Sequence, residues 1–110
     1  MPTREALLRL RDEARAEVAT LEGHLRALFE ASRSSNADDE HDPEGSTIAF
    51  ERAQLTAVLS AARRRVTDLS DALTRLDAGS YGVCEACGTP IPPERLAARP
   101  GARTCVRCAA

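Results

Sequence analysis

The spacing of apolar residues in two long stretches constrains the fold of this 110-residue chain more than any other feature. Each stretch repeats an apolar residue every seven positions, with further apolar residues three or four positions away, which is typical of a coiled-coil helix. In the first stretch these residues are Leu7, Ala14, Leu21 and Leu28, accompanied by Val18 and Leu25. In the second they are Ile48, Leu55, Ala62, Leu69 and Leu76, accompanied by Leu59, Val66 and Leu73. The sequence therefore predicts two long amphipathic helices.

A polar segment at about residues 34–46 separates the two stretches. It contains no arginine and five acidic residues, which are Asp38, Asp39, Glu40, Asp42 and Glu44. Asp42 followed by Pro43 is typical of a helix start, because aspartate caps unpaired N–H groups and proline suits the first helical position. Gly79 is typical of the residue that follows a helix.

Two helices of similar length joined by a short loop usually pack side by side in opposite directions. We therefore predict that residues 1–80 form a long antiparallel coiled-coil hairpin with the acidic segment at its tip. A coiled coil formed between two chains is the alternative. Because the loop is short and the two heptad stretches match in length, we favour the intramolecular hairpin and a monomeric protein.

The four cysteines form two Cys-x-x-Cys pairs, Cys84 with Cys87 and Cys105 with Cys108. Two such turns can bring four sulfurs around one point, in the tetrahedral arrangement that structural Zn²⁺ sites prefer. Four thiolates leave no metal position open for a reactive water, so such a site is structural. We predict one structural Zn²⁺ in a small finger at residues 81–110. Redox-active thiols or disulfides are the alternative.

We also predict the roles of other residues of the finger. Tyr81 is expected to pack where the second helix meets the finger. The apolar residues expected to complete the finger are Val83, Ile91, Leu96 and Val106. The residues expected to offset the negative charge of a zinc–thiolate centre are Arg95, Arg99, Arg103 and Arg107.

Composition excludes several other classes of protein. Aromatic residues make up 3% of the chain and β-branched residues form no runs, which excludes sheet-based folds. No stretch approaches the roughly 20 consecutive apolar residues of a membrane span, and the first residues lack the apolar core of a secretory signal. We therefore expect an all-α dominated, cytoplasmic protein without membrane contact. We expect no enzymatic activity, because no nucleophile–base pair, phosphate-binding loop or open metal site is visible.

The finger closely resembles the zinc finger of the DksA/TraR family. The resemblance rests on Tyr81-Gly82-x-Cys84, on Ile91-x-x-x-Arg95-Leu96 and on Ala98-x-Pro100, followed by the second cysteine pair. A heptad helix that leads directly into the finger also matches. The resemblance implies a transcription regulator that binds RNA polymerase rather than promoter DNA. It implies that the hairpin enters the secondary channel and changes the stability of promoter complexes, in some members together with ppGpp.

The resemblance also implies that acidic residues at the tip approach the catalytic centre of the polymerase. The family pattern at the tip is Asp-x-x-Asp-x-Ala. Asp39 and Asp42 have the spacing of its two aspartates, and Glu44 then stands in place of the alanine. With Asp42 at the first position instead, Gly45 stands in place of the second aspartate. Asp39, Asp42 and Glu44 are therefore the candidate tip residues.

Two other classes of function remain as alternatives. A zinc finger can bind nucleic acid directly, but this finger has an excess of only two positive charges and no aromatic residue other than Tyr81. Phosphate affinity at physiological salt usually needs a denser basic surface. The hairpin could also be a structural adaptor that docks onto a different protein.

Overall fold

The computed structural model describes residues 1–34 and 43–109, without the side chains of residues 34 and 43–46. It contains three helices, which are α1 (Arg4–Ser34), α2 (Pro43–Asp77) and α3 (Pro93–Ala98). The helices α1 and α2 pack as an antiparallel hairpin. Within the described ranges there is no strand, only an isolated antiparallel bridge between Val83 and Pro90. The predicted fold class, an α-helical hairpin followed by a cluster of four cysteines, is confirmed.

The ends of the long helices follow from local sequence. The hydroxyl of Thr3 accepts a hydrogen bond of 3.1 Å from the backbone N–H of Ala6, which caps the start of α1. The helix α2 begins at Pro43, as the sequence predicts. At its other end, Gly79 has a φ of +80° and donates to the carbonyl of Leu76. Only glycine adopts this left-handed conformation at low cost, so Gly79 ends the helix as predicted.

The chain divides into two compact units. The finger unit consists of Met1–Ala14 and Arg64–Ala110, and the hairpin unit consists of Arg15–Arg63. Within the described residues, every helix is too short or too polar to span a lipid bilayer.

A continuous core holds the finger unit together. Leu7 and Ala14 of α1 pack in one cluster with residues of α2 and with residues that follow it. The other buried members are Leu69, Ala72, Leu73, Tyr81, Cys84, Ile91, Leu96 and Cys105. The heptad positions of both helices therefore supply one side of this core, and the finger supplies the other.

The hairpin unit has a shallower seam. Leu59 and Ala62 of α2 are buried, whereas the heptad residues Leu21, Leu28 and Leu55 are only half-buried. An ion pair of 2.9 Å joins Arg63 to Glu22 across the two helices, which lie antiparallel here. A pair of helices without a third layer leaves the flanks of its seam in contact with water, and this explains the incomplete burial.

Polar contacts fasten the finger to α2 within the finger unit. The hydroxyl of Tyr81 donates a hydrogen bond of 2.8 Å to the carbonyl of Pro100. The guanidinium of Arg75 donates to the carboxylate of Glu85 at 3.1 Å and to the carbonyl of Ala102 at 3.3 Å. Tyr81 is also buried in one cluster with Leu73 of α2 and Ile91 of the finger, which is the position predicted for it.

Arg103 makes the most extensive of these contacts. Its guanidinium bonds to the carboxylate of Asp71 and, at 3.3 Å, to that of Asp68. Partial burial lowers the pKa of Arg103, but the hydrogen bond to Asp71 and the charge of Asp71 raise it by more. The pKa of Arg103 therefore lies above its usual value. Beside it, a Cβ on Gly101 would lie 2.9 Å from the Cβ of Asp68. The loop before the second cysteine pair is therefore packed directly on the backbone of α2.

Replacing a buried seam residue should cost far more stability than replacing an exposed one. Leu73 is 5% exposed, and we expect Leu73→Ala to lower the free energy of unfolding by about 2–5 kcal/mol, because the cavity cannot fully collapse. The control is Val58→Ala, because Val58 is 48% exposed. This variant should lower the free energy of unfolding by less than about 1 kcal/mol. Urea unfolding followed by circular dichroism measures both. Equal losses would contradict the described seam.

The contact between Arg103 and Asp71 should couple the finger to α2. In a double-mutant cycle with Arg103→Ala and Asp71→Asn, we expect an interaction energy of about 1 kcal/mol. The exposed pair of Arg4 and Asp77, at 2.9 Å, is the matched control and should give a smaller interaction energy, because water screens it. An Arg103–Asp71 cycle no larger than the control would show that this contact does not fasten the finger.

Candidate metal centre

The four cysteine sulfurs lie together in the finger unit. All four Sγ atoms are within 4.8 Å of one another, and the sulfurs of Cys87 and Cys105 are 3.7 Å apart. In a tetrahedral site with Zn–S bonds of about 2.3 Å, neighbouring sulfurs lie roughly 3.8 Å apart. The described geometry therefore fits a single tetrahedral metal ion. The two predicted Cys-x-x-Cys pairs converge as the sequence suggests.

A tight turn presents the first pair. The backbone N–H of Cys84 donates to the carbonyl of Thr89 at 2.8 Å, and the N–H of Gly88 donates to the carbonyl of Cys84 at 2.9 Å. Gly88 has a φ of +75°, which lets the chain reverse within a few residues. The sulfur of Cys84 is buried, whereas Cys87 is exposed and its sulfur lies 2.9 Å from the hydroxyl of Thr89.

A second turn presents the other pair. The N–H groups of Cys108 and Ala109 both donate to the carbonyl of Cys105, at 3.1 and 3.0 Å. The side chain of Arg95, on α3, donates a hydrogen bond of 2.9 Å to the carbonyl of Thr104, which fixes the chain just before this turn. The N–H of Glu85 donates to the carbonyl of Arg103 at 2.9 Å and so joins the two turns.

The thiols of the cluster differ strongly in acidity. Hydrogen bonding from the backbone of Cys105 lowers the pKa of Cys84 to about 6. Hydrogen bonding from the backbone of Cys108 likewise lowers the pKa of Cys105. The pKa of Cys108 rises to about 12, first because its thiol hydrogen-bonds to Cys105 and then because it hydrogen-bonds to Cys87 and Cys84. Several thiolates in one small volume repel one another, and a divalent cation would remove this repulsion.

The predicted apolar complement of the finger is half correct. Ile91 and Leu96 are buried, but Val83 is 42% exposed and Val106 is 66% exposed. The prediction is wrong for these two valines for a geometric reason. Successive side chains of an extended segment point to opposite sides, so the inward direction of Cys84 turns Val83 outward. Val106 lies inside the second Cys-x-x-Cys turn, whose two cysteines face the cluster.

The charge-offsetting role of the finger arginines stays a prediction, and two of these arginines also make direct contacts within the finger unit. The guanidinium of Arg103 binds the carboxylates of Asp68 and Asp71, and that of Arg95 binds the carbonyl of Thr104. These two side chains thus brace the loops of the finger and its contact with α2. Neither contact involves a cysteine sulfur.

The short helix α3, which places Leu96 fully buried in the finger unit core, was not predicted. The sequence nevertheless contains a pattern that indicates the start of this helix. Pro92 and Pro93 are followed by Glu94, and a proline at the first position with an acid in the first turn is typical of a helix start. Six residues are too few to show a period, so the helix was not evident from spacing.

The candidate tip residues cannot be placed. Asp39 and Asp42 lie outside the described residues, and Glu44 belongs to the first turn of α2 without a described side chain. Their arrangement at the tip therefore stays a prediction.

Comparison with known proteins supports the same family. Residues 79–110 match the prokaryotic dksA/traR C4-type zinc finger. General stress protein 16O of Bacillus subtilis is 36% identical over 81 residues, which cover 74% of this chain and 50% of that protein. An uncharacterised protein of Aquifex aeolicus is 45% identical over 42 residues, which cover 38% of this chain and 29% of that protein. The chain thus spans half or less of the length of these curated relatives.

A solved structure extends the similarity beyond the finger. The transcription factor DksA2 from Pseudomonas aeruginosa superimposes with a TM-score of 0.74 at 29% sequence identity. The match covers 94% of this chain and 74% of that one, so it includes the helices as well as the cysteine cluster. Taken together with the matched finger and the helical hairpin, these similarities support the assignment of the chain to the DksA/TraR family.

Proposed function

We propose that this protein is a cytoplasmic transcription regulator that acts on RNA polymerase. In this proposal a monomer inserts its helical hairpin into the secondary channel and changes the stability of promoter complexes without sequence-specific DNA binding. The observation that carries the proposal is the match to the transcription factor DksA2 over 94% of the chain. A finger match alone would support only a zinc module, whereas this match also includes both long helices.

The cysteine cluster is proposed to hold one Zn²⁺ through Cys84, Cys87, Cys105 and Cys108. When bound, the ion would cross-link the two turns of the finger. The four thiolates complete its coordination, so the site supplies structure and offers no open position for hydrolysis. The C4-type finger match and the convergence of the four sulfurs support this assignment.

The acidic segment at about residues 34–46 is proposed to act at the catalytic centre of RNA polymerase. Its candidate residues are Asp39, Asp42 and Glu44, with Asp42 first. Carboxylates held close to cations and phosphates interact with them strongly wherever water is excluded from the contact. Such charges would shift the balance between promoter complexes. Whether ppGpp takes part is tested by adding it to the same assays.

Metal removal should unfold the finger. We expect the purified protein to contain about one zinc per chain, and a chelator to lower its melting temperature, because metal binding contributes to folding free energy. Metal release should increase as the pH falls, since protons compete for the thiolates. Elemental analysis and thermal melts measure these effects.

The matched variants are Cys105→Ser and Val106→Ser. Val106 is exposed and adjacent to the cluster, so Val106→Ser should keep its zinc while Cys105→Ser loses it. A melting temperature that a chelator does not change would contradict the structural role of the metal.

Removing the charge of Asp42 should separate binding from regulation. Asparagine is about as good a capping residue as aspartate, so Asp42→Asn should preserve the predicted helix cap and remove only the carboxylate. We expect affinity for RNA polymerase to change less than about twofold while the promoter effect falls about tenfold, which corresponds to about 1.4 kcal/mol. In vitro transcription and a polymerase binding assay measure the two quantities.

Asp12→Asn, an exposed substitution on α1, is the control and should leave both quantities unchanged. An unchanged promoter effect in Asp42→Asn would remove Asp42 from the mechanism. Absence of polymerase binding by the wild-type protein would overturn the whole proposal. Robust, salt-sensitive binding to duplex DNA would instead favour a nucleic-acid-binding finger.

A further inference from the structure

The hairpin unit contains a groove that the proposed function does not use. It lies between α1 and α2 and has a volume of about 360 Å³. Its apolar part is formed by Leu25 and Phe29 of α1 and by Leu59 of α2. Phe29 is 42% exposed, so a large part of its side chain is in contact with water. The groove therefore offers water an apolar surface that the fold itself does not cover.

Positive charge surrounds this apolar strip. Arg26, Arg33 and Arg63 line the groove, and the guanidinium carbon of Arg52 lies 5.3 Å from the centre of the Phe29 ring. Glu22 is the acidic residue among the described lining residues, and its carboxylate already pairs with Arg63 at 2.9 Å. An excess of three positive charges remains, although the chain as a whole has a net charge of −2.

The chemistry of the groove selects its occupant. Guanidinium groups bind carboxylates with paired hydrogen bonds, and an apolar strip between them accepts aliphatic side chains. An amphipathic helix with acidic residues beside its apolar face matches both features. A single-stranded nucleic acid fits less well, because bases stack on open aromatic faces and Arg52 covers one face of the single ring present.

We propose that this groove binds an acidic amphipathic segment of the protein partner. The inference rests on the proposed function in one respect, because it assigns that segment to RNA polymerase. The acidic tip and the basic groove would then act on different parts of the same partner. Complementary charge of this kind sets the register of docking and accelerates association at low salt.

Direct binding to a designed peptide tests the chemistry. The probe is a helical peptide of about 16 residues, roughly 24 Å long, with glutamates on one face and leucines beside them. A second peptide carries lysines in place of the glutamates. We expect the full-length protein to bind the acidic peptide, with an affinity that falls as salt rises, and to bind the basic peptide at least about tenfold more weakly.

Variants of the groove locate the binding site. Arg26→Glu should lower the affinity for the acidic peptide and for RNA polymerase at least about tenfold. Arg26→Lys should lower both affinities less than about threefold. Arg9→Glu makes the same charge change on the exposed surface of α1 outside the groove and should change either affinity less than about twofold. Phe29→Ala should lower the affinity for the acidic peptide about fivefold, because an apolar contact is lost. Circular dichroism verifies that each variant is folded.

The outcomes separate this inference from the proposed function. If the wild-type protein binds polymerase and Arg26→Glu binds it equally well, the groove inference fails and the proposed function stands. If the wild-type protein does not bind polymerase, the proposed function fails, and with it the assignment of the segment. Equal losses in Arg26→Glu and Arg9→Glu would overturn the groove as the site. The groove inference would also fail if the protein bound single-stranded RNA more tightly than the acidic peptide. It would fail as well if the wild-type protein formed a dimer that Arg26→Glu abolished.

Discussion

A pair of helices without a third layer can bury only the residues along the seam between them. That constraint governs the distribution of the core. Among the described residues, ten of the twelve buried apolar side chains belong to the finger unit, where finger residues cover the helices. In the hairpin unit, where α1 and α2 have only each other, Leu59 and Ala62 alone are buried among the described apolar residues. The finger therefore provides the third layer that completes a core.

Periodicity and capping predicted the helices because both are local. A heptad repeat needs no knowledge of the partner surface, and Pro43 and Gly79 determine helix ends through backbone geometry alone. The convergence of the cysteines was predictable for a similar reason, since each Cys-x-x-Cys turn already places two sulfurs together. These features account for the fold class and for the members of the candidate metal centre.

Features that depend on contacts distant in sequence were not predictable in this way. Val83 points outward because Cys84 faces the second cysteine pair, which lies more than twenty residues later. The carboxylates that bind Arg103 lie on a helix more than thirty residues earlier. The groove beside Phe29 arises only when two helices place Arg52 and Arg63 near α1. Charge counted along the chain could not reveal it, because the arginines of α1 and α2 are far apart in sequence.

The finger unit joins the cysteine cluster to α2 through a short length of chain. Arg103 binds Asp68 and Asp71, and two residues later Cys105 enters the cluster. Gly101 rests against Asp68 with no room for a side chain, so a larger residue at this position would push the loop away from α2. The turn that presents Cys105 and Cys108 is therefore held in place from both sides, by the sulfur cluster and by the carboxylates of α2. A metal ion at the cluster would stabilise the helix contact as well as the finger, because the same few residues belong to both.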